Sequence, residues 1–312
     1  MHHNQYPSIG YGTGRILIGR NNLRAVEISM YPNFTFDYFP TQYYSRTSTE
    51  QSTVPTFAGQ SRMLSQRILK SDAVSFAPLV QETKTRMRSH LSRCNLIPKQ
   101  YTQRESLHGK MLLEATEWSL QIQDRPIASL RMVYIHGGKN EIINTWIFPN
   151  RPKNMPVYAA ELIAVGDAIR VAFVDIQTPV LEGSVVEDTS MLTGVLAPRF
   201  AGLPCNEEPP FWAVQESQGN FTYARNVPAV DLPTIEECYL AYMDAYLNHF
   251  ACHDVGKSLL LQTRDEDAIN ALHAYQHHHM EHSPGNKFLS KLFGADWTVA
   301  FMREFLFEKP QG

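Results

Sequence analysis

The chain has 312 residues, is 43% hydrophobic and carries a formal net charge of −3, so it is long enough to bury a sizeable core. The nearly balanced charge gives no global case for nucleic-acid binding, and no apolar run approaches the roughly 18 residues of a membrane span. Cys94, Cys205, Cys238 and Cys252 form no C-x-x-C pair, which leaves no recognisable ligand set for zinc or an iron–sulfur cluster. Because G-x-G-x-x-G and P-loop motifs are also missing, any electrons for redox chemistry have to come from outside the chain.

Residues 1–60 are rich in Tyr, Ser, Thr, Asn, Gln and Pro, with little periodic apolar pattern, which predicts an irregular extension. No linker divides the remainder, so 61–312 are predicted to form a single domain. The N-terminus lacks a secretory apolar region, but its basic, hydroxyl-rich composition is compatible with a transit peptide, with Glu27 and Asp37 as counter-evidence. The expected location is therefore cytoplasmic, or a plastid if this segment is a transit peptide.

Between residues 60 and 96, apolar residues recur at helical spacing, which predicts helix. The same stretch carries a set of basic residues that forms either a docking surface or only a solvated helix face. The members of this basic set are Arg62, Arg67, Lys70, Lys84, Arg86, Arg88 and Arg93.

The middle of the chain predicts a series of strands joined by short turns, and short hairpin connections favour an antiparallel sheet. The predicted strands are 118–122, 127–135, 142–148, 157–165 and 168–176, with a further short strand at 220–225.

The C-terminal third is predicted to be helical. Thr234 and Glu237 form a candidate capping box, Asp265 opens a second helix, and Asp296 is predicted to cap the last one. Strands followed by helices favour an α+β fold in which one sheet is covered by helices.

Glu161 is the only charged residue in the apolar strand 157–165. Because an ionised carboxylate is costly to bury, a strand that keeps one usually gives it a partner, a proton or a ligand to protonate. The alternative is an acid on the solvated face of an edge strand. Both faces of this strand are otherwise apolar, so Glu161 is the first candidate for chemistry.

Four segments, in the same order along the chain, resemble the ferredoxin-dependent bilin reductases. The segment LFGADWTVAFMREFLF is similar to the C-terminal signature of that family, with its Phe-Gly, Trp and closing Leu-Phe. The segment IFPNRPKNMPVYAAELIAVGDAIRVAFVDIQTP resembles its acid-bearing strand and the Asp-containing strand that follows. PPFWAVQESQGNFTYARNVPAV resembles its Pro-x-Trp segment and Arg-containing strand, and EWSLQIQDRPIASLRM resembles an earlier strand. The resemblance covers roughly residues 117–307.

This resemblance implies a three-layer α/β/α sandwich, with a linear tetrapyrrole bound between a central antiparallel sheet and the C-terminal helices. It also implies that no metal or flavin is bound and that electrons arrive singly from reduced ferredoxin. The position that is protonated then decides the product. The expected activity is reduction of biliverdin or a dihydrobilin by a monomer that contacts ferredoxin through the basic set. Neither nucleic acid nor a membrane is an expected partner.

The resemblance also assigns roles to single residues. Glu161 falls on the sheet acid of the family, which is usually Asp, and takes the role of proton donor. Asn144 falls where phycocyanobilin-forming members have a catalytic His, and it could bond a bilin lactam without relaying a proton. Met132 falls where they have a Glu and is expected to line the substrate site. Ser283, with His282 beside it, falls at the position of a helix acid.

Two further expectations concern charged side chains. Several histidines lie close together at one helix end. Either this helix end is solvated, or His282 faces the substrate site as a proton relay. Too few further ligands are present to predict a metal site. The other members of this cluster are His273, His277, His278, His279 and Glu281. Arg225, on a predicted strand, is expected to pair with a propionate, with a structural salt bridge as the alternative.

The departures from the family pattern at 132, 144 and 283 argue against the phycocyanobilin type of four-electron reaction. They leave two rival functions. One is a red chlorophyll catabolite reductase, a branch of the same superfamily that has Glu at the sheet acid, although the C-terminal signature fits the bilin branch better. The other is a non-catalytic tetrapyrrole carrier.

Overall fold

A central antiparallel sheet dominates the computed structural model, which describes residues 74–89, 93–94, 97–122, 125–150, 156–179, 189, 193–205, 207–210, 214, 217, 219–252 and 265–308. The predicted extension 1–60 and the basic residues Arg62, Arg67 and Lys70 lie outside these ranges. No helix within them is long and apolar enough to cross a membrane.

The sheet contains eight strands in the described part of the chain, in the order β1-β3-β4-β5-β6-β7-β8, with β2 also paired to β3. All neighbouring pairs are antiparallel. The strands are β1 (Arg93–Cys94), β2 (Gln103–Glu105), β3 (Leu112–Ile122), β4 (Arg125–Gly137), β5 (Asn140–Pro149), β6 (Val157–Val165), β7 (Ala168–Gln177) and β8 (Thr222–Pro228). The predicted strand series is confirmed, although β3 begins six residues before its predicted start.

Two-residue turns join β4 to β5 and β6 to β7. Gly166 begins the turn between β6 and β7 with φ +69°, a backbone conformation that glycine adopts without steric cost. At the end of β4, Gly137 lies so close to the backbone that precedes β3 that an added Cβ would be 2.1 Å from the carbonyl oxygen of Lys110. Short hairpin connections of this kind keep each of these two strand pairs adjacent and antiparallel.

Helices cover both faces of the sheet. Helices α1 (Ala77–Ser89) and α4 (Leu232–Cys252) pack on one face, named here the α4 face. The other face, named here the α5 face, is covered by α5 (Asp265–His282), α6 (Pro284–Phe293), α7 (Ala295–Phe301) and a π-helical turn, Met302–Leu306. Helices α2 (Lys99–Thr102) and α3 (Leu196–Phe200) are short. This arrangement confirms the predicted three-layer α/β/α sandwich.

Two predicted helix caps are wrong. Helix α4 begins at Leu232, directly after a 3-10 turn, so Thr234 lies inside its first turn instead of capping it. Helix α7 begins at Ala295 after Gly294, whose φ is +94°. Asp296 therefore lies in the first turn, where its charge favourably opposes the helix dipole.

The α4 face is closed by tyrosines whose hydroxyl groups are satisfied. Tyr239 shares a 2.8 Å hydrogen bond with Thr145, and Tyr246 donates to the carbonyl oxygen of Pro156 over 2.9 Å. Tyr158 donates to the carbonyl oxygen of Tyr239 over 3.1 Å. Since buried hydroxyls are costly without partners, these bonds let large side chains fill the layer.

Candidate active site

Strand β6 separates a closed face from one that is partly open. On the α4 face its side chains are buried along the whole strand. On the α5 face, Val157 and Ala159 are fully buried, whereas Glu161, Ile163 and Val165 keep some exposed surface. Glu161 therefore lies at the border between the part of the α5 face that helices cover and the part that stays accessible.

The Glu161 carboxyl group is largely surrounded by protein although it keeps some accessible surface. This desolvation raises the pKa of Glu161 to about 7, and no neighbouring charge contributes. The alternative of a solvated edge strand is wrong, because β6 lies between β5 and β7. Near neutral pH a substantial fraction of Glu161 holds a proton that it can give to a bound molecule.

Asn144 and Phe173 flank Glu161 on the neighbouring strands. Asn144 on β5 is the direct cross-strand partner of Glu161, and Phe173 on β7 is its partner on the other side. Directly opposed residues of an antiparallel pair have Cβ atoms about 5 Å apart. The position of Asn144 beside Glu161 is thus a consequence of sheet register, and Asn144 also accepts a hydrogen bond from Trp146.

Asp175 is a second acid on the α5 face; the sequence pointed to its strand as the Asp-containing strand of the family but gave the residue no role. It lies opposite Ala159, so it is a diagonal neighbour of Glu161, and only 1% of it is exposed. Burial raises the pKa of Asp175 to about 7, against the effect of hydrogen bonds with Ser217, the Ile176 N–H and Gln177. The available signal was its position in the apolar run AIRVAFVDI, the same signal that identified Glu161.

The histidine that faces the sheet is His279 instead of the predicted His282. His279 is 2% exposed, with its ring 4.9 Å from Trp146 and 4.4 Å from Tyr275. Burial lowers the pKa of His279 to about 3, helped by His278 and His282, so its imidazole is neutral at physiological pH. His282 is exposed and stacks on His278 at 4.7 Å, a position that does not support the predicted relay.

The remaining residues of the histidine cluster give no metal site. Among the residues that the structure describes, no group of three or more His, Cys, Asp or Glu side chains is arranged to hold a metal ion. His277 instead lies 3.4 Å from Glu281, one helical turn away on an exposed surface.

Ser283 caps helix α6. Its hydroxyl oxygen accepts a 3.2 Å hydrogen bond from the Gly285 N–H, and Pro284 follows at the first helical position. This explains the serine structurally, and a catalytic role for Ser283 stays a prediction.

The structure corrects the expected substrate contact of Met132. Met132 is 2% exposed and packs in the core of the α4 face, on the opposite side of the sheet from Glu161. The adjacent Arg131 projects to the α5 face instead, where it pairs with Glu117 over 2.9 Å and with Glu308 over 3.2 Å. Successive side chains of a strand point to opposite faces of the sheet. The residue that shares a face with Glu161 is therefore Arg131, one position before the predicted Met132.

Arg225 lies on the α5 face and takes part in a salt bridge. It is opposite Val171, within the partly exposed part of that face, and it pairs with Glu207. The structural salt bridge that the sequence left open is therefore present. The propionate contact stays a prediction.

Three described members of the basic set lie on α1, and the fourth, Arg93, lies on β1. Arg86 bonds Glu82 over 2.9 Å and also pairs with Asp244 of α4, while Lys84 and Arg88 lie on the same helix. Helix α1 packs on the α4 face, so its basic residues and Glu161 are on opposite sides of the sheet. A docking role for the basic set stays a prediction.

The fold is similar to that of a known class of proteins. The crystal structure of phytochromobilin synthase from tomato, in complex with biliverdin, matches with a TM-score of 0.63 and 16% identity, over 76% of this chain and 84% of that chain. The sandwich is therefore of the type found in that synthase.

Sequence comparison then identifies the family. The sequence model of the family of ferredoxin-dependent bilin reductases matches residues 80–308, and the chain belongs to this family. A 15,16-dihydrobiliverdin:ferredoxin oxidoreductase from Prochlorococcus marinus is 24% identical over 180 residues, 57% of this chain and 75% of the relative. A phycocyanobilin:ferredoxin oxidoreductase from Synechococcus elongatus is 25% identical over 202 residues, 61% of this chain and 77% of the relative. The predicted enzyme class, a bilin oxidoreductase that takes electrons from ferredoxin, is confirmed.

Proposed function

We propose that the chain reduces biliverdin or a dihydrobilin on the accessible part of the α5 face, with Glu161 as the proton donor. The observation that carries this proposal is an acid with a pKa of about 7 at the border of that accessible part, between Asn144 and Phe173. The names of relatives support the substrate class, since one acts on 15,16-dihydrobiliverdin and a structural neighbour was crystallised with biliverdin.

Reduction of one double bond takes up two electrons and two protons. Reduced ferredoxin supplies the electrons one at a time, and the added negative charge makes the conjugated tetrapyrrole more basic. The Glu161 O–H then gives its proton to the reduced bilin, and the resulting carboxylate regains a proton from solvent through the accessible side. The same transfer after the second electron supplies the second proton. A donor with a pKa near the working pH suits this cycle, because a large fraction of it is protonated and it still releases its proton readily.

The groups around Glu161 have complementary tasks. The Phe173 ring is buried beside Glu161 and keeps the surroundings of the acid apolar. Asn144 offers hydrogen bonds beside the acid, and the Arg225 guanidinium is suited to a propionate carboxylate. No bound metal or flavin takes part in this scheme.

An anaerobic assay with reduced ferredoxin and biliverdin tests the proposal, with products separated by chromatography. Glu161→Gln is expected to bind bilin with a clear absorbance change but to lower turnover at least 100-fold. Glu105→Gln, at an exposed position on β2, is the matched control and should behave as wild type. Wild-type turnover by Glu161→Gln would remove Glu161 from the mechanism.

The same assay separates the rival functions. Red chlorophyll catabolite is offered beside biliverdin, because Glu at the sheet acid is shared with that reductase branch. Preferential consumption of the catabolite would contradict the bilin substrate. A stable coloured complex that reduced ferredoxin neither bleaches nor shifts would identify a carrier instead of a reductase.

A further inference from the structure

A hydrogen bond joins two neighbouring side chains of β5 on the α5 face. The Trp146 indole Nε1–H donates to Oδ1 of Asn144, two residues earlier on the strand. An indole nitrogen only donates, so the Asn144 atom beside it has to be the carbonyl oxygen and not the nitrogen. The bond therefore fixes which way the Asn144 amide is turned, and its NH2 group faces away from Trp146.

The indole is held firmly enough to impose this orientation. Trp146 is 7% exposed and is surrounded by rings on several sides. The ring centroids lie 5.8 Å away at Phe148, 5.3 Å at Phe307, 4.9 Å at His279 and 6.1 Å at Tyr275. Asn144, in contrast, is partly exposed, and its amide alone could turn through about 180° at little cost. Trp146 removes that freedom.

The fixed NH2 group stands next to the acid. Asn144 is directly opposite Glu161, and burial alone accounts for the raised pKa of Glu161, without a hydrogen bond between the two side chains. The site therefore presents an amide donor beside a carboxyl group that can both accept and donate. A terminal lactam ring of a linear tetrapyrrole carries a C=O and an N–H on one edge, which is the complementary pattern.

We propose that Trp146 is a positioning residue that turns the Asn144 amide so that its NH2 group binds a lactam carbonyl oxygen beside Glu161. Trp146 thereby favours a terminal lactam ring of the bilin, instead of an inner ring, against the proton donor. This inference rests on the proposed function, because it concerns the placement of the same substrate. With the amide reversed, two acceptors would meet at the lactam oxygen, and that orientation of the bilin would be lost.

The experiment compares Trp146→Phe with wild type in the anaerobic biliverdin assay, and measures bilin affinity by absorbance titration. The phenyl ring keeps an aromatic group in the cluster but has no N–H. We expect bilin binding about fivefold weaker and a broader mixture of product isomers. Trp297→Phe is the matched control, because its indole N–H bonds the carbonyl oxygen of Gln100, far along the chain from β5, and its product pattern should be unchanged.

A double-mutant cycle distinguishes positioning from a general loss of packing. If Trp146 acts through Asn144, Trp146→Phe should have no further effect on affinity or product pattern in an Asn144→Ala background. Equal effects of Trp146→Phe with and without Asn144 would overturn the inference, as would an unchanged product pattern and affinity in the single variant. Wild-type protein that neither binds nor reduces bilin would instead overturn the proposed function, so the two failures can be told apart.

Discussion

Glu161 and Asp175 are diagonal neighbours on adjacent strands, on one face of the sheet, and burial raises the pKa of each to about 7. They differ in access. Glu161 keeps some exposed surface, whereas Asp175 is 1% exposed beneath the covered part of the face. The first acid is therefore placed to meet a ligand, and the second is placed to affect stability.

Turnover should depend on pH through Glu161. Its protonated form is the donor, so the rate of the protonation step should fall as pH rises above about 7, approaching tenfold per pH unit. Single-turnover rates with pre-reduced ferredoxin, measured from pH 6 to pH 9, check this. A pH-independent rate over that range would contradict Glu161 as the donor.

Asp175 should make stability decrease as pH rises. Its folded pKa of about 7 lies above the ordinary value of 3.8, so the folded chain binds the extra proton between these two values. The contribution of Asp175 to the free energy of unfolding is therefore fully present below about pH 4 and is lost as pH rises to about 7. Asp175→Asn should remove this loss, which is on the order of 4 kcal/mol by pH 8.

Urea unfolding at pH 5 and pH 8 measures this effect. Asp167→Asn, in the exposed turn after β6, is the control and should follow the wild-type pH dependence. Parallel stability curves for Asp175→Asn and wild type would show that Asp175 is not protonated in the folded state.

The two histidines of α5 should differ in their effect on turnover. His282→Asn should change turnover less than about twofold, because its ring is exposed and contacts His278. His279→Ala should weaken both folding and turnover, because it leaves a cavity among Trp146, Tyr275 and Phe307. Steady-state kinetics with thermal unfolding check both variants. A large loss of turnover in a stably folded His282→Asn protein would restore the predicted relay.

Arg131 should stabilise the join between the sheet and the C-terminal segment. Its buried guanidinium pairs with Glu117 and Glu308 and donates to the carbonyl oxygen of Leu306. Arg131→Met leaves the carboxylate of Glu117 partly buried without this partner, which should cost about 3 kcal/mol in the free energy of unfolding. Arg303→Met, whose side chain is 67% exposed, should cost less than about 1 kcal/mol. Equal losses would contradict the prediction.

The sequence by itself determined the strand series, the fold class and the choice of Glu161. These are local properties, since alternation within one strand and short turns between strands can be read from consecutive residues. The resemblance to the family added the three-layer arrangement and the role of the acid as proton donor.

Only the tertiary structure decided which face each site residue occupies and what it meets. Register across strands depends on turn lengths and on bulges, such as the one between Ile163 and Ala164, so the pairing of Asn144 with Glu161 and the burial of Met132 on the opposite face are not local properties. That His279 faces the sheet likewise depends on how α5 packs against Trp146. Local patterns specify which residues share a face, but packing decides which face encloses the site.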